Sequence, residues 1–220
     1  MKNTEFRSGS HVFLLIVFFL IVNSLQAQES KIIPNLTIPE ITTENNLIWQ
    51  WPEDLPVPNS IRAWHYNKDL VLPLMNVGQA VENSLLDYVT IMKLAMVISS
   101  KNDCFYCLCN AVEVLRQQGY SDSDMVALQT NLKDYKCDNK EKALLILAEQ
   151  LTINPSTSGE YVKNAKKEGW SEEEIANTIF FISYLNMMNR IAVAFGLPPD
   201  DNHPYDPETK IPMLKCEEKK

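Results

Sequence analysis

Hydrophobic residues follow two different patterns along this chain. Val12 to Val22 (VFLLIVFFLIV) is an unbroken apolar run, whereas from about residue 66 onward apolar positions recur with helical spacing. Between these regions Pro34, Pro39, Pro52, Pro56 and Pro58 interrupt every periodic run, so 28–66 is expected to be an irregular arm. Trp49 and Trp51 in that arm suggest that it docks on the domain's own surface or on a neighbouring subunit.

The periodic region divides into helices by its caps and breakers. Asp69 to Gly78 is a short candidate, broken near Pro73. Ser84 to Ser100 follows, with Leu85, Tyr88, Val89, Met92, Met96 and Val97 along one stripe. Asp103 is a candidate N-cap for Cys104–Gln118, and Gly119 a C-terminal stop. Ser121-Asp-Ser-Asp124 starts a helix running to about Leu132. Asn139 to Leu151 is amphipathic through Ala143, Leu144, Leu147 and Leu151. Pro155 opens the next helix, which Gly169 ends. Ser171-Glu-Glu-Glu174 is a capping box opening the longest helix, Glu172–Phe195, stopped by Gly196 and Pro198-Pro199. No segment shows strand alternation, and the tail 201–220 is polar. The fold class expected is all-α.

The first 27 residues change the reading of compartment. Lys2 and Arg7 precede the apolar run, which is short for a bilayer span, and Leu25-Gln-Ala27 offers a cleavage site before Gln28. Residues 1–27 read as a signal peptide, which implies a secreted or periplasmic protein with no stable membrane association after cleavage. An uncleaved anchor is the alternative. What remains, roughly 190 residues, is one ordinary domain with tails. The net charge of the full chain is −8, which gives no electrostatic basis for binding nucleic acid or an anionic membrane.

Export permits disulfides, and the chain has five cysteines. Cys104 and Cys107 form a Cys-x-x-Cys pair that follows one apolar helix and opens another. Thiols at i and i+3 lie about 60° apart around a helix, and exposed N–H groups at a helix start favour a thiolate. The pair reads as a redox dithiol, a structural disulfide or half of a zinc site. The zinc reading lacks a second ligand pair, so no metal and no cofactor is expected. Cys109 lies about 200° around the helix from Cys107 and points into the core or toward Cys137. Cys137 and Cys216, in polar segments, are candidates for resolving or intermolecular thiols.

Three stretches together resemble the alkyl hydroperoxidase D-like, or carboxymuconolactone decarboxylase-like, superfamily and its peroxidase-related branch. They are Val97-Ile-Ser-Ser-Lys-Asn-Asp-Cys104-Phe-Tyr-Cys107, Glu168-Gly-Trp-Ser-Glu-Glu-Glu-Ile175, and Asn186-Met-Met-Asn189-Arg190-Ile-Ala with Gly196-Leu-Pro-Pro199. The resemblance covers 67–200. It implies a helical fold assembling as trimers or hexamers, and a dithiol that reduces peroxides or exchanges electrons with a thiol or disulfide substrate. It also implies Cys107 as the reacting thiolate and Cys104 as the resolving thiol. In the family a glutamate twelve residues before the first cysteine and a histidine seven after it form a proton relay.

Those relay positions hold Met92 and Ala111, which cannot accept a proton. General acid–base help is worth about 10²–10⁴-fold, so peroxide turnover by the family route should be slow. Asn110 can hydrogen-bond to a thiolate but cannot relay a proton. His65 and His203 flank the domain and either could fold over the site, or both could be surface residues. Met92, Met96, Met187 and Met188 read as core filler, with Met92 a candidate to line the space the glutamate would occupy. Asn186, Asn189 and Arg190 share one face of an apolar helix and need partners, either near the dithiol, at a subunit contact or on loop backbone. The competing reading of the whole chain is a secreted helical oligomer that acts as a binding or scaffold protein, with Cys104–Cys107 a permanent structural bond.

Overall fold

The computed structural model describes residues 34–40, 57–82 and 86–200, all inside the unit Ile32–Lys220. The expected signal peptide, Trp49, Trp51, His203 and Cys216 lie outside the described residues. Those described form eight α-helices and no strand, as the all-α expectation required. They are α1 (Asn59–Trp64), α2 (Lys68–Glu82), α3 (Tyr88–Lys101), α4 (Phe105–Gln117), α5 (Asp122–Thr130), α6 (Asn139–Ile153), α7 (Ser158–Lys167) and α8 (Glu172–Phe195), with 3₁₀ turns at His65–Asn67 and Pro155–Thr157.

Helix α3 is the axis around which the rest packs. It touches α4, α5, α6 and α8, and it buries Ile91, Leu94, Ala95, Met96, Val97 and Ile98. Burial on nearly every side replaces the single expected stripe: Tyr88, placed on that stripe, is exposed, and Met92 is only half-buried. Each large side chain removed from water contributes about 1.5–3 kcal/mol. Leu115 of α4, Leu128 of α5, Leu144 and Leu147 of α6 and Ile182 of α8 complete this core.

One charge lies inside the core. Lys93 bonds to Glu141 at 2.7 Å and stands 4.8 Å above the Tyr120 ring. Burial works to lower its pKa, but the Glu141 carboxylate with Tyr120 and Tyr135 outweighs it and holds the ammonium above its ordinary range.

The capping signals hold at α5 and α8, where Ser121 with Asp124 and Ser171 with Glu174 both form complete capping boxes. Four boundaries differ from expectation. The arm is not irregular throughout: its last part forms α1, which starts after Pro58 and buries Ile61 and Ala63. Helix α2 runs through Pro73 instead of breaking. The proline forfeits one intrahelical bond, and packing against α8 outweighs that loss. At the contact Gly78 approaches so closely that a Cβ there would sit 2.6 Å from the Tyr184 hydroxyl oxygen. Helix α3 begins at Tyr88 because Asp87 accepts the Thr90 N–H at 3.0 Å. Asp103 is not the N-cap of α4; Cys104 is.

Residues 34–40 of the arm lie against the end of α8. The Asn35 backbone N–H donates to Phe195 O at 2.8 Å, and its side-chain amide donates to Ala194 O at 3.0 Å. Arg62 of α1 grips the same segment through Pro39 O and Glu40. Residues 34–40 thus dock on their own domain, while Trp49 and Trp51, on which the docking expectation rested, lie outside the described residues.

Candidate functional site

The corner between α3 and α4 creates the site. Helix α3 ends in a Schellman turn: Asp103 adopts φ 52°, Cys104 N–H donates to Ser99 O at 2.9 Å, and Asp103 N–H reaches Ser100 O at 3.4 Å. Cys104 then serves as the N-cap of α4 without any side-chain cap. Cys104 and Cys107 are joined as a disulfide, with Cα atoms 5.4 Å apart.

The two sulfurs occupy different surroundings. Cys104 is buried in a small apolar cluster with Ala63, Tyr106, Ala192 and Leu197, flanked by Ile38 of the arm. Cys107 is half-buried and lines a cavity of about 260 Å³. Met92 and Ala111 line the same cavity, so the two positions at which the resemblance expects relay groups face the space beside Cys107. Among the described residues no charged side chain lines it.

Polar contacts hold this corner rigid. The Tyr106 hydroxyl donates to Asp200 Oδ2 at 2.9 Å and lies 3.1 Å from Ser60 Oγ. Burial, reinforced by the Asp200 charge, pushes its pKa up, so it stays a phenol. Asp200 also accepts the Asn59 N–H at 2.7 Å, which ties α1 to the segment after α8. The polar triplet of α8 bonds to α3. Asn189 Nδ2 donates to Ser99 Oγ at 3.2 Å. Asn186 accepts from Asn102 and donates to Thr152 Oγ1, and Arg190 donates back to Asn186. These residues brace the turn that presents Cys104; their partners are side chains of α3, its C-cap and α6, and the backbone of α8.

The remaining candidates are not brought to the dithiol. Cys109 is a buried thiol that does not line the cavity. Cys137 packs on the main core, where burial and then Glu141 push its thiol pKa up, making it a weak nucleophile. His65 sits in the 3₁₀ turn after α1, and its neighbour Trp64 is the residue that reaches the cavity. Sequence reasoning missed Ser60, Trp64 and Asp200, because they come from the arm and the segment after α8, which carry no periodic signal. Among the described residues no cluster of three His, Cys, Asp or Glu could hold a metal.

No protein-family model matches the chain. An uncharacterized protein of Bacillus subtilis (strain 168), YdfG, is 25% identical over 125 residues, which are 56% of this chain and 84% of that protein. An uncharacterized peroxidase-related protein of Ralstonia eutropha JMP134, described as an alkylhydroperoxidase AhpD core, superposes with a TM-score of 0.67 at 16% identity, covering 77% of this chain and 93% of that one. The debrominase Bmp8, solved as a cysteine-to-alanine variant in complex with 2,3,4-tribromopyrrole, gives 0.60 at 15% identity over 76% and 93%. The helical fold is that of AhpD-like, peroxidase-related proteins.

Proposed function

Taking the AhpD-like fold as premise, we propose that this chain is an exported thiol–disulfide oxidoreductase whose dithiol, Cys104 and Cys107, reduces peroxides only slowly. The observation that carries the reading is the asymmetry of the pair: Cys107 opens on an uncharged cavity while Cys104 is buried behind it. That asymmetry supports Cys107 as the attacking thiolate and Cys104 as the resolving thiol. The debrominase of the same fold, held with a tribromopyrrole, supports a small organic molecule as occupant of such a cavity.

The Cys107 thiolate attacks a substrate disulfide, and one substrate thiolate leaves. Cys104 attacks the mixed disulfide, the second substrate thiolate leaves, and the intramolecular disulfide remains; protons come from water. With a hydroperoxide, attack breaks the O–O bond and leaves a sulfenic acid on Cys107. The departing alkoxide takes a proton from water, because Met92 and Ala111 supply none. Cys104 then closes the disulfide with loss of water, and an external dithiol restores the reduced pair.

In the full-length protein, Cys107→Ser should abolish thiol exchange and Cys109→Ser should leave it intact. Equal loss in both variants would overturn the assignment. The mature protein should begin at or near Gln28 by intact mass; a full-length mass in the membrane fraction would contradict export. Exposed apolar side chains on α8 (Phe180, Met187 and Val193) and on α2 (Leu70, Leu72 and Val77) support homo-oligomerisation. Light scattering at micromolar concentration should give a trimeric or hexameric mass, not a monomeric one.

The burial of Cys104 favours one second reading, a scaffold with a permanent structural disulfide. An irreducible Cys104–Cys107 bond in the native protein would establish it.

A further inference from the structure

We propose that residues 34–40 and α1 form a cover that closes Cys104 to reagents in solution, so that external thiols and disulfides react at Cys107 alone, with Ile38 as the specificity-determining residue of the cover. This rests on the redox reading of the dithiol and gives the arm a part in it.

The first observation is what surrounds Cys104. It is 1% exposed and shares its apolar cluster with Ala63, which is fully buried. Ile38 packs on the same cluster. Ala63 belongs to α1 and Ile38 to the arm, and both precede residue 67, where the family resemblance begins. The cluster is therefore completed by residues from outside the stretch that resembles the family.

The second is how the cover is fastened. The main chain of 34–40 is held at every second residue. Asn35 N–H donates to Phe195 O at 2.8 Å, the Tyr66 hydroxyl donates to Thr37 O at 2.7 Å, and Arg62 Nε donates to Pro39 O at 2.9 Å. These bonds fix the register in which Ile38 meets the cluster while Leu36 stays half exposed. Pro34 and Pro39 restrict φ before docking, which lowers the entropy lost on it. Arg62 also bonds to Asn59 Oδ1 at 3.0 Å. Asn59 N–H and the Tyr106 hydroxyl share the Asp200 carboxylate, so both parts of the cover are tied to the dithiol turn.

The third is the asymmetry of access. Cys107 lines the cavity and Ile38 does not, so loosening Ile38 should change access to Cys104 without changing access to Cys107. In the exchange itself, an external thiolate attacks the Cys107 sulfur, the Cys104–Cys107 bond breaks and Cys104 leaves as a thiolate. A second external thiolate then attacks the bound thiol's sulfur, releasing the external disulfide and the Cys107 thiolate. Attack on Cys104, which would exchange these roles, is blocked while the cover is docked.

Alkylation of the full-length protein by iodoacetamide, resolved by residue with fragment masses, tests access to each sulfur. Cys107→Ser leaves Cys104 as a free thiol and Cys104→Ser leaves Cys107 free, so the measurement needs no redox turnover. Cys107 should be modified about tenfold or more faster than Cys104, which reacts only when the cover opens. Adding Ile38→Ala should speed Cys104 by about tenfold through a larger open fraction and leave Cys107 within about twofold. Leu36→Ala, in the same segment, should change neither rate. Equal rates for the two sulfurs, no acceleration of Cys104 by Ile38→Ala, or acceleration of both sulfurs alike would overturn the proposal. If Ile38→Ala does not fold, Arg62→Gln, which releases Pro39 O and Glu40, decides by the same two rates; an unchanged Cys104 rate overturns it. A wild-type disulfide that thiols cannot reduce, together with selective alkylation, removes the redox reading and leaves the cover. Equal alkylation in a protein whose disulfide is reducible does the reverse.

Discussion

The backbone N–H of Cys104 donates to the carbonyl of Ser99 at 2.9 Å, so the residue that closes α3 is also the N-cap of α4. One residue thereby ends the central core helix and begins the helix that carries Cys107. The position of the dithiol is set by the best-packed element of the fold, since Ser99 is fully buried and held by Asn189.

That turn needs a left-handed residue at 103, and Asp103 supplies it at φ 52°. Asp tolerates this region better than most side chains, and β-branched residues tolerate it poorly. Asp103→Gly should leave stability unchanged or raise it, while Asp103→Val should cost about 1–2 kcal/mol. Chemical unfolding of the two variants measures this, and a Val variant as stable as wild type would contradict the turn.

Much of the fold is legible in the sequence because helix ends carry local chemistry. Ser171 with Glu174 and Gly119 act as their types predict, and Gly119 adopts φ 84°. Asp103 is ambiguous because Asp suits both an N-cap and a left-handed C-terminal residue, and only the Ser99 carbonyl contact decides between them. Helix α1 is hidden because it has six residues behind a run of prolines, and burial of Ile61 and Ala63 holds it in place. Within the site, Cys104 and Cys107 are legible from their spacing, and Met92 and Ala111 only through the family resemblance. Trp64, Ser60 and Asp200 reach the corner only through tertiary folding.

The capping box of α8 should titrate. Backbone and side-chain hydrogen bonds from Ser171 hold the Glu174 carboxyl below its ordinary range. A carboxyl with a lowered folded pKa contributes stability above its unfolded value of about 4.3 and loses it as pH falls through the folded value. Between about pH 6 and pH 3 Glu174→Gln should therefore lose less stability than wild type, while retaining the cap through its amide. Identical pH profiles in thermal unfolding would contradict this.

Restoring proton transfer should accelerate peroxide reduction. Met92 and Ala111 face the cavity beside Cys107, so Met92→Glu combined with Ala111→His would place a carboxylate and an imidazole at its walls. Peroxidase turnover of the double variant should rise by about 10²-fold or more. Fast reduction by the unmodified protein would mean that another group supplies the protons.

The reduction potential of the Cys104–Cys107 pair separates a working dithiol from a structural bond. Equilibration with a thiol–disulfide buffer, with the reduced fraction read by alkylation and mass, should give a value near about −200 mV. A value below about −300 mV would mark the disulfide as permanent and contradict the redox assignment.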